Sequence, residues 1–338
     1  MATLREVARR AGVSVATASR VATGDVRVRP QTRERVEQAM RELLYVPRRR
    51  DPATGLIGIL VPELSNPIFP ALAQAIEMRA TPVGLASILC DTMSAAEREV
   101  DYVHMLVDRG VAGMIFVSCE MANLDGEHGH YRRLLDEDAR IVFVNGALDG
   151  FDVPSVGVDE RAAGELATRH LLELGHRRIG FVAGPRHYSP TKRKASGREA
   201  ALRSAGIEPD GLVAYAGFGV PGGRAALREL LDREDPPTGV ICSSDVMAIG
   251  ALQEAGDRGL RVPRDLSIVG FDGIASEWTQ PRLTTIEQPI ADIAETAVDA
   301  LRRLIDEPGR SLPHFVFRPQ LKLGGSTGPP PDADTSGV

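Results

Sequence analysis

Cysteine is scarce: the 338 residues hold three, Cys90, Cys119 and Cys242, each in or beside an apolar run. No CxxC spacing and no histidine cluster accompanies them, which excludes a disulfide scaffold and a thiolate metal site; buried free thiols are expected. Long apolar runs are missing too. The longest, Leu56 to Pro62, is interrupted by Gly58 and falls far short of the roughly 20 residues a bilayer requires. Arg5, Glu6, Arg9 and Arg10 occupy the N-terminus, where an export signal would need an apolar core. A cytoplasmic protein with no membrane partner is therefore expected. Lysine is sparse, at only Lys192, Lys194 and Lys322. HExxH, GxSxG and Walker sequences are all absent. No catalytic residue, metal or cofactor is expected, and the chain reads as a binding protein and not as an enzyme.

What is present is ordinary globular material: 43% hydrophobic and 25% charged residues, enough for two or three folding units. The charge is uneven. Residues 1–50 carry 12 arginines against five acids, a net charge of +7, while the other 288 carry 28 bases against 41 acids, a net charge of −13. A small basic head on an acidic body suits a nucleic-acid-binding module joined to something else.

Local pattern in the head supports this. Thr3 and Glu6 have capping-box spacing, and Leu4, Val7, Ala8 and Ala11 follow at helical intervals. Gly12 is a natural turn, Ser14 a natural cap, and Val15 to Ala22 a second helix running to Thr23 and Gly24. A third helix spans Pro30 to Leu44, with Val36, Ala39, Met40, Leu43 and Leu44 on one face. Helix, glycine turn, helix is the arrangement that inserts its second helix into a major groove.

Residues 3–47, TLREVARRAGVSVATASRVATGDVRVRPQTRERVEQAMRELLYVP, resemble the DNA-binding head of the lactose-repressor (LacI/GalR) family of bacterial transcription regulators. The resemblance implies that Val15, Ala16 and Arg20 face base edges and that Thr17, Ser19 and Thr32 touch phosphates. Leu4, Thr23 and the arginines 48–50 complete the candidate DNA-binding set. Arg20 fits a bidentate contact to guanine, worth about 1–3 kcal/mol of discrimination; a phosphate contact is its other reading. Two departures stand out. Arg29 replaces a capping serine, a loss of about 1 kcal/mol. Pro47 is followed by only Arg48, Arg49, Arg50, Asp51, Pro52, Ala53 and Thr54, where family members have a longer hinge helix with a minor-groove leucine. Arg48, Arg49 and Arg50 suit phosphates or a narrow minor groove, and equally a charged linker.

From Gly55 short apolar runs alternate with amphipathic stretches. Strands are expected at 56–61, 85–90, 113–117, 141–144, 178–182, 212–215, 239–242 and 266–271. Helices are expected near 67–79, 94–109, 160–174, 191–205, 222–233, 244–256 and 289–306. The fold class is therefore α/β, a small all-α head followed by parallel sheets flanked by helices, with ligands beyond the carboxyl ends of the strands. The phrases IGILVPELSNPIF (57–69), GVDERAAGELATRHLLELGHRRIGFVAGP (157–185), SSDVMAIGALQEAGDRGLRVPRDLSIVGFDG (243–273) and LTTIEQP (283–289) resemble the same family's effector domain. That implies a two-lobed, periplasmic-binding-protein-like body over 55–326. Its N-lobe is about 55–159 and 289–312, its C-lobe about 160–288 and 313–326, with crossings near Asp159, Gln288 and Pro313. The implied cleft positions are Ile68, Phe69, Asn145, Tyr188, Lys194, Phe218, Ser244 and Asp272, suited to a sugar or related metabolite; a nucleoside or purine is the alternative. Phe69 and Phe218 also fit a core role, and Trp278 fits it better. Asp245 reads as a helix cap.

Gly217, Gly219 and Gly222 match GxGxxG between a strand-like run and a helix, with Asp245 downstream, so a nicotinamide enzyme is a runner-up reading. A sugar-transport component is another, opposed by the arginine-rich head. Residues 327–338, rich in glycine, proline and serine, are expected to be disordered. The sequence thus describes a DNA-binding homodimer that reads a two-fold operator and is modulated by a small molecule.

Overall fold

A computed structural model describes residues 4–22, 28–43, 45, 55–209 and 211–331. Thr3, Thr23, Gly24, Leu44 and Arg48–Arg50 lie outside the described residues, and so does the shortened 48–54 segment. The chain divides into two compact units, Met1–Leu56 with Val103–Ala112 and Ile57–Tyr102 with Gly113–Val338.

In the first unit, α1 (Leu4–Ala11), α2 (Val15–Ala22) and α3 (Pro30–Glu42) bury one small core of Val7, Ala8, Ala11, Ala18, Val21, Val36, Ala39 and Met40. Each buried valine or methionine contributes about 1.5–3 kcal/mol. Gly12 takes a left-handed φ of +63° after α1, and Val13 N–H closes the turn on Ala8 O at 3.0 Å. Ser14 Oγ accepts from Thr17 N–H at 3.1 Å, the expected cap of α2. Arg29 sits at the start of α3 without a side-chain cap, as its replacement of serine implied.

The second unit contains two six-stranded sheets. The first runs β11-β5-β4-β3-β1-β2 and the second β12-β10-β9-β8-β6-β7. The strands are β1 (Leu56–Val61), β2 (Ala86–Asp91), β3 (Gly113–Val117), β4 (Ile141–Val144), β5 (Ser155–Val158), β6 (Ile179–Ala183), β7 (Val213–Tyr215), β8 (Gly239–Cys242), β9 (Ser267–Asp272), β10 (Thr284–Glu287), β11 (Phe315–Phe317) and β12 (Gln320–Lys322). Between them lie α4 (Ile68–Ala80), α5 (Ala96–Asp108), α6 (Gly129–Asp136), α7 (Glu160–Glu173), α8 (Ser189–Ser204), α9 (Val220–Leu231), α10 (Asp245–Asp257) and α11 (Ile290–Asp306). Parallel pairing joins β1 to β3, β3 to β4 and β8 to β9, whereas β12 pairs antiparallel with β10. One core packs α4 and α11 on the first sheet, and a second packs α9 and α10 on the other. No helix among the described residues is long and apolar enough to cross a membrane. Cys90, Cys119 and Cys242 are free and buried.

The chain leaves the first sheet after β5, at Asp159, and leaves the second after β10, at Gln288. The third crossing falls at Arg318 and Pro319, not at Pro313. The reason is β11: Phe315 pairs with Val156 on β5, and Phe315 and Phe317 pack on the first lobe's core, which keeps 313–317 in that lobe. Residues 327–331 also depart from the expected disorder. Gly328 O accepts from the buried His176 Nε2 at 2.9 Å and from Ser267 Oγ at 3.1 Å. Thr327 Oγ1 meets Thr284 Oγ1 at 3.0 Å. These buried polar groups need partners, and that demand overrides the composition.

Candidate functional site

In the head, α2 carries the candidate DNA-reading face. On α2, Ala18 and Val21 point into the core, which turns Val15 (46% exposed), Ala16 and Arg20 outward. Thr17, Ser19 and Thr32 are half-buried beside that face. Leu4 instead packs against the three-helix core. Arg35, which the sequence reading did not single out, fixes the turn before α2. Its guanidinium donates to Ala11 O at 2.5 Å and Gly12 O at 3.3 Å.

The body's two lobes enclose a cavity of about 340 Å³ at the carboxyl ends of their strands. All eight expected cleft residues line it: Ile68, Phe69, Asn145, Tyr188, Lys194, Phe218, Ser244 and Asp272. Strand ends supply the polar ones. Ser94 follows β2, Ser118 follows β3, Asn145 follows β4 and Asp272 closes β9. Each has a positive φ (53°, 49°, 55° and 121°), so backbone strain gathers where the polar groups converge.

Gln288, at the second crossing, ties the lobes together. Its Nε2 donates to Asp272 Oδ1 at 2.8 Å, and its Oε1 accepts from Asn145 Nδ2 at 3.0 Å. Asp272 Oδ2 and Asn145 Oδ1 remain buried without a partner. Burial pushes the Asp272 carboxyl well above the usual carboxylate range; nearby Asp245 adds to this and Lys194 opposes it.

Two glycine contacts set the wall. A Cβ on Gly164 of α7 would strike the Lys194 carbonyl, and one on Gly197 of α8 would strike that of Arg161. The helices therefore cross at backbone distance. Glu160 and Lys194, about one turn earlier on each, meet at 2.5 Å. Lys194 Nζ also lies 3.7 Å from the Phe271 ring centroid. Burial raises the Glu160 carboxyl, and Lys194 pulls it back. Gly223 and Gly250 bring α9 and α10 together in the same way. Phe218 stands edge-to-face on Tyr188, centroids 5.6 Å apart.

Several readings change here. Asp245 does not cap α10; Ser244 does, accepting from Met247 N–H at 3.3 Å. Asp245 turns inward, where Oδ2 accepts from the Ile274 and Ala275 amides at 3.0 Å and Oδ1 accepts from Thr285 Oγ1 at 2.6 Å. Burial raises its carboxyl to about 6 despite these donors. Fully buried and engaged, it offers nothing to a ribose. Gly222 abuts the Gly217 carbonyl, so the GxGxxG run serves a tight turn that presents Phe218 to the cleft. The nicotinamide reading loses both its supports. Trp278 is 66% exposed, not core. The sequence reading missed Glu160, Gln288, Asn66, Ser94 and Ser118 in the lining. Position after a strand could have flagged Ser94 and Ser118; nothing local marks Gln288.

The head matches the model of bacterial regulatory proteins of the lacI family over residues 3–48, and residues 168–327 match the periplasmic binding protein-like domain. An uncharacterized HTH-type transcriptional regulator from the aml 5′ region of Streptomyces limosus is 41% identical over 331 residues, covering 96% of this chain and 94% of that protein. The chain belongs to the lacI family. The HTH-type transcriptional regulator MalR of Streptomyces coelicolor is 39% identical, with 97% of each chain covered. The transcriptional regulator CelR, solved as a cellobiose complex, superposes with a TM-score of 0.75 at 30% identity, covering 96% of this chain and all of that one. For this lacI-family regulator the α2 face and the lobe cleft thus stand in the framework of a DNA-binding transcription regulator with a small-molecule body.

Proposed function

We propose that this protein is a transcriptional repressor whose operator binding is modulated by a sugar-like effector held between the lobes. The observation that carries the reading is the Asn145–Gln288–Asp272 relay. It joins strand ends of both lobes and leaves Asp272 Oδ2 and Asn145 Oδ1 buried without a partner on residues that line the cavity. Buried acceptors without donors are costly, and adjacent hydroxyls of a sugar satisfy both at once. Phe69, Tyr188 and Phe218 offer apolar faces to the ring. A ligand that contacts both lobes favours closure over opening, which is the differential affinity an allosteric effect needs. The likeness to CelR, solved as a cellobiose complex, supports the sugar class.

On the DNA side, Val15, Ala16 and Arg20 read bases, Thr17, Ser19 and Thr32 hold phosphates, and a cytoplasmic homodimer sets two heads on two half-sites. Val15 and Ala16 have no polar side-chain group, so Arg20 carries the hydrogen-bonded readout. Fluorescence anisotropy with operator and scrambled duplexes tests this. Arg20→Ala is expected to abolish the preference for operator while leaving salt-sensitive binding to any duplex. Retained preference would remove Arg20 from the base-reading role.

A further inference from the structure

Four charged side chains line the cleft: Glu63, Glu160, Lys194 and Asp272. The single cation among them is already spent. Lys194 Nζ lies 2.5 Å from Glu160 Oε2 and over the Phe271 ring, and the Lys194 and Glu160 side chains are only 6% and 8% exposed. A lysine is a point charge without the fork that lets an arginine serve two anions at once. On the two residues joined by the Gln288 carboxamide, Asp272 Oδ2 and Asn145 Oδ1 are buried without a hydrogen-bond partner. They ask for donors. A hydroxyl pair brings donors as well as acceptors; a phosphate or carboxylate brings further acceptors and a negative charge for which the lining has no uncommitted cation, and burying an unpaired charge is costly.

Resting on the sugar reading of the cleft, we propose that the buried Glu160–Lys194 pair sets its charge selectivity. Glu160 cancels the cleft's one lining cation, so the effector is an uncharged polyhydroxy compound with two neighbouring hydroxyls on Asp272 and Asn145, and phosphorylated or carboxylated sugars are excluded. Glu160 acts through Lys194 as a specificity-determining residue. The close crossing at Gly164 and Gly197 holds the pair together without a ligand.

The test uses the full chain and three matched pairs of probes: cellobiose with cellobiose 6-phosphate, glucose with glucose 6-phosphate, and ribose with ribose 5-phosphate. Calorimetric titration of the unaltered protein is expected to show at least one neutral sugar binding at least tenfold more tightly than its phosphate. In Glu160→Gln the lysine is released, and the phosphate-to-sugar affinity ratio is expected to rise at least tenfold. A purely structural role for Glu160 would weaken both members of a pair and leave the ratio unchanged, which would overturn the proposal. Should Glu160→Gln fail to fold, the unaltered protein still decides. Phosphates binding as tightly as their parent sugars would overturn this inference and leave the sugar reading standing. Binding of none of the six would overturn both.

Discussion

Asp272 shows what burying a single carboxyl costs the unliganded fold. Burial and Asp245 raise its carboxyl, so the folded chain holds a proton at pH values where the unfolded chain, near the ordinary value of about 4, has released it. Stability therefore falls as pH rises from about 4 through the raised value. Asp272→Asn removes that cost. The unliganded variant is expected to melt higher than the parent at neutral pH, with the gain shrinking toward pH 4, where the parent carries its own proton. Effector binding moves the other way. A net hydrogen bond is worth about 0.5–1.5 kcal/mol, so affinity for whichever sugar binds the parent should fall about 2- to 10-fold. Calorimetric titration and melts from pH 4 to 8 check both arms; a variant that binds the sugar normally removes Asp272 from the site. At this scale Ile68, Phe69, Ser244 and Asp272 were legible because each lies in a family phrase, whereas Asn145, Tyr188, Lys194 and Phe218 lie outside those phrases and came only from the family's cleft positions. Glu160 and Gln288 were not legible, since their roles depend on a partner far along the chain: Lys194 for one, and Asn145 and Asp272 for the other.

Helices were legible as elements because amphipathic periodicity over 12 or more residues leaves few alternatives. The observed α4, α7, α9, α10 and α11 start and stop within about two residues of the expected ranges. Strands of three or four residues were legible only as apolar runs: β4, β7 and β8 fall where they were expected, and four others do not. SVGV of β5, TTIE of β10, FVF of β11 and QLK of β12 carry too little pattern to stand apart from loops, and they become strands only because a neighbouring edge accepts them. Missing β11 is what misplaced the third crossing. The start of α3 was readable in full: Pro30 opens it and Arg29 cannot cap it. Arg29→Ser supplies an oxygen for a first-turn amide, worth about 1 kcal/mol. Hydrogen exchange in the first turn of α3 is expected to slow about fivefold, with exchange in α11 unchanged as an internal control. No slowing would mean that the helix end gains nothing from a cap.

Across the whole molecule the decisive quantity is the split between a head of +7 and a body of −13. A chain with net charge −6 still binds a polyanion when its positive charge is gathered in one small unit, because each phosphate neutralised releases condensed counterions. The affinity then varies with salt according to the number of phosphates held, which makes the slope a count. Arg48, Arg49 and Arg50 supply a quarter of the head's twelve arginines. Two roles fit their sequence, phosphate or minor-groove contact and a charged linker, and the salt slope separates them. If they hold DNA, replacing all three by alanine should reduce the magnitude of the slope of log affinity against log salt by up to about three per head, since each lost contact removes about 0.9. Affinity would fall for operator and scrambled duplexes alike. If they act as a linker, the slope stays put, and only the response of DNA binding to effector has reason to change. Measuring the slope with and without a bound sugar also shows whether the short 48–54 segment still couples the two units. A slope that shifts on adding sugar to the parent, and no longer shifts in the triple variant, would make these arginines part of that coupling.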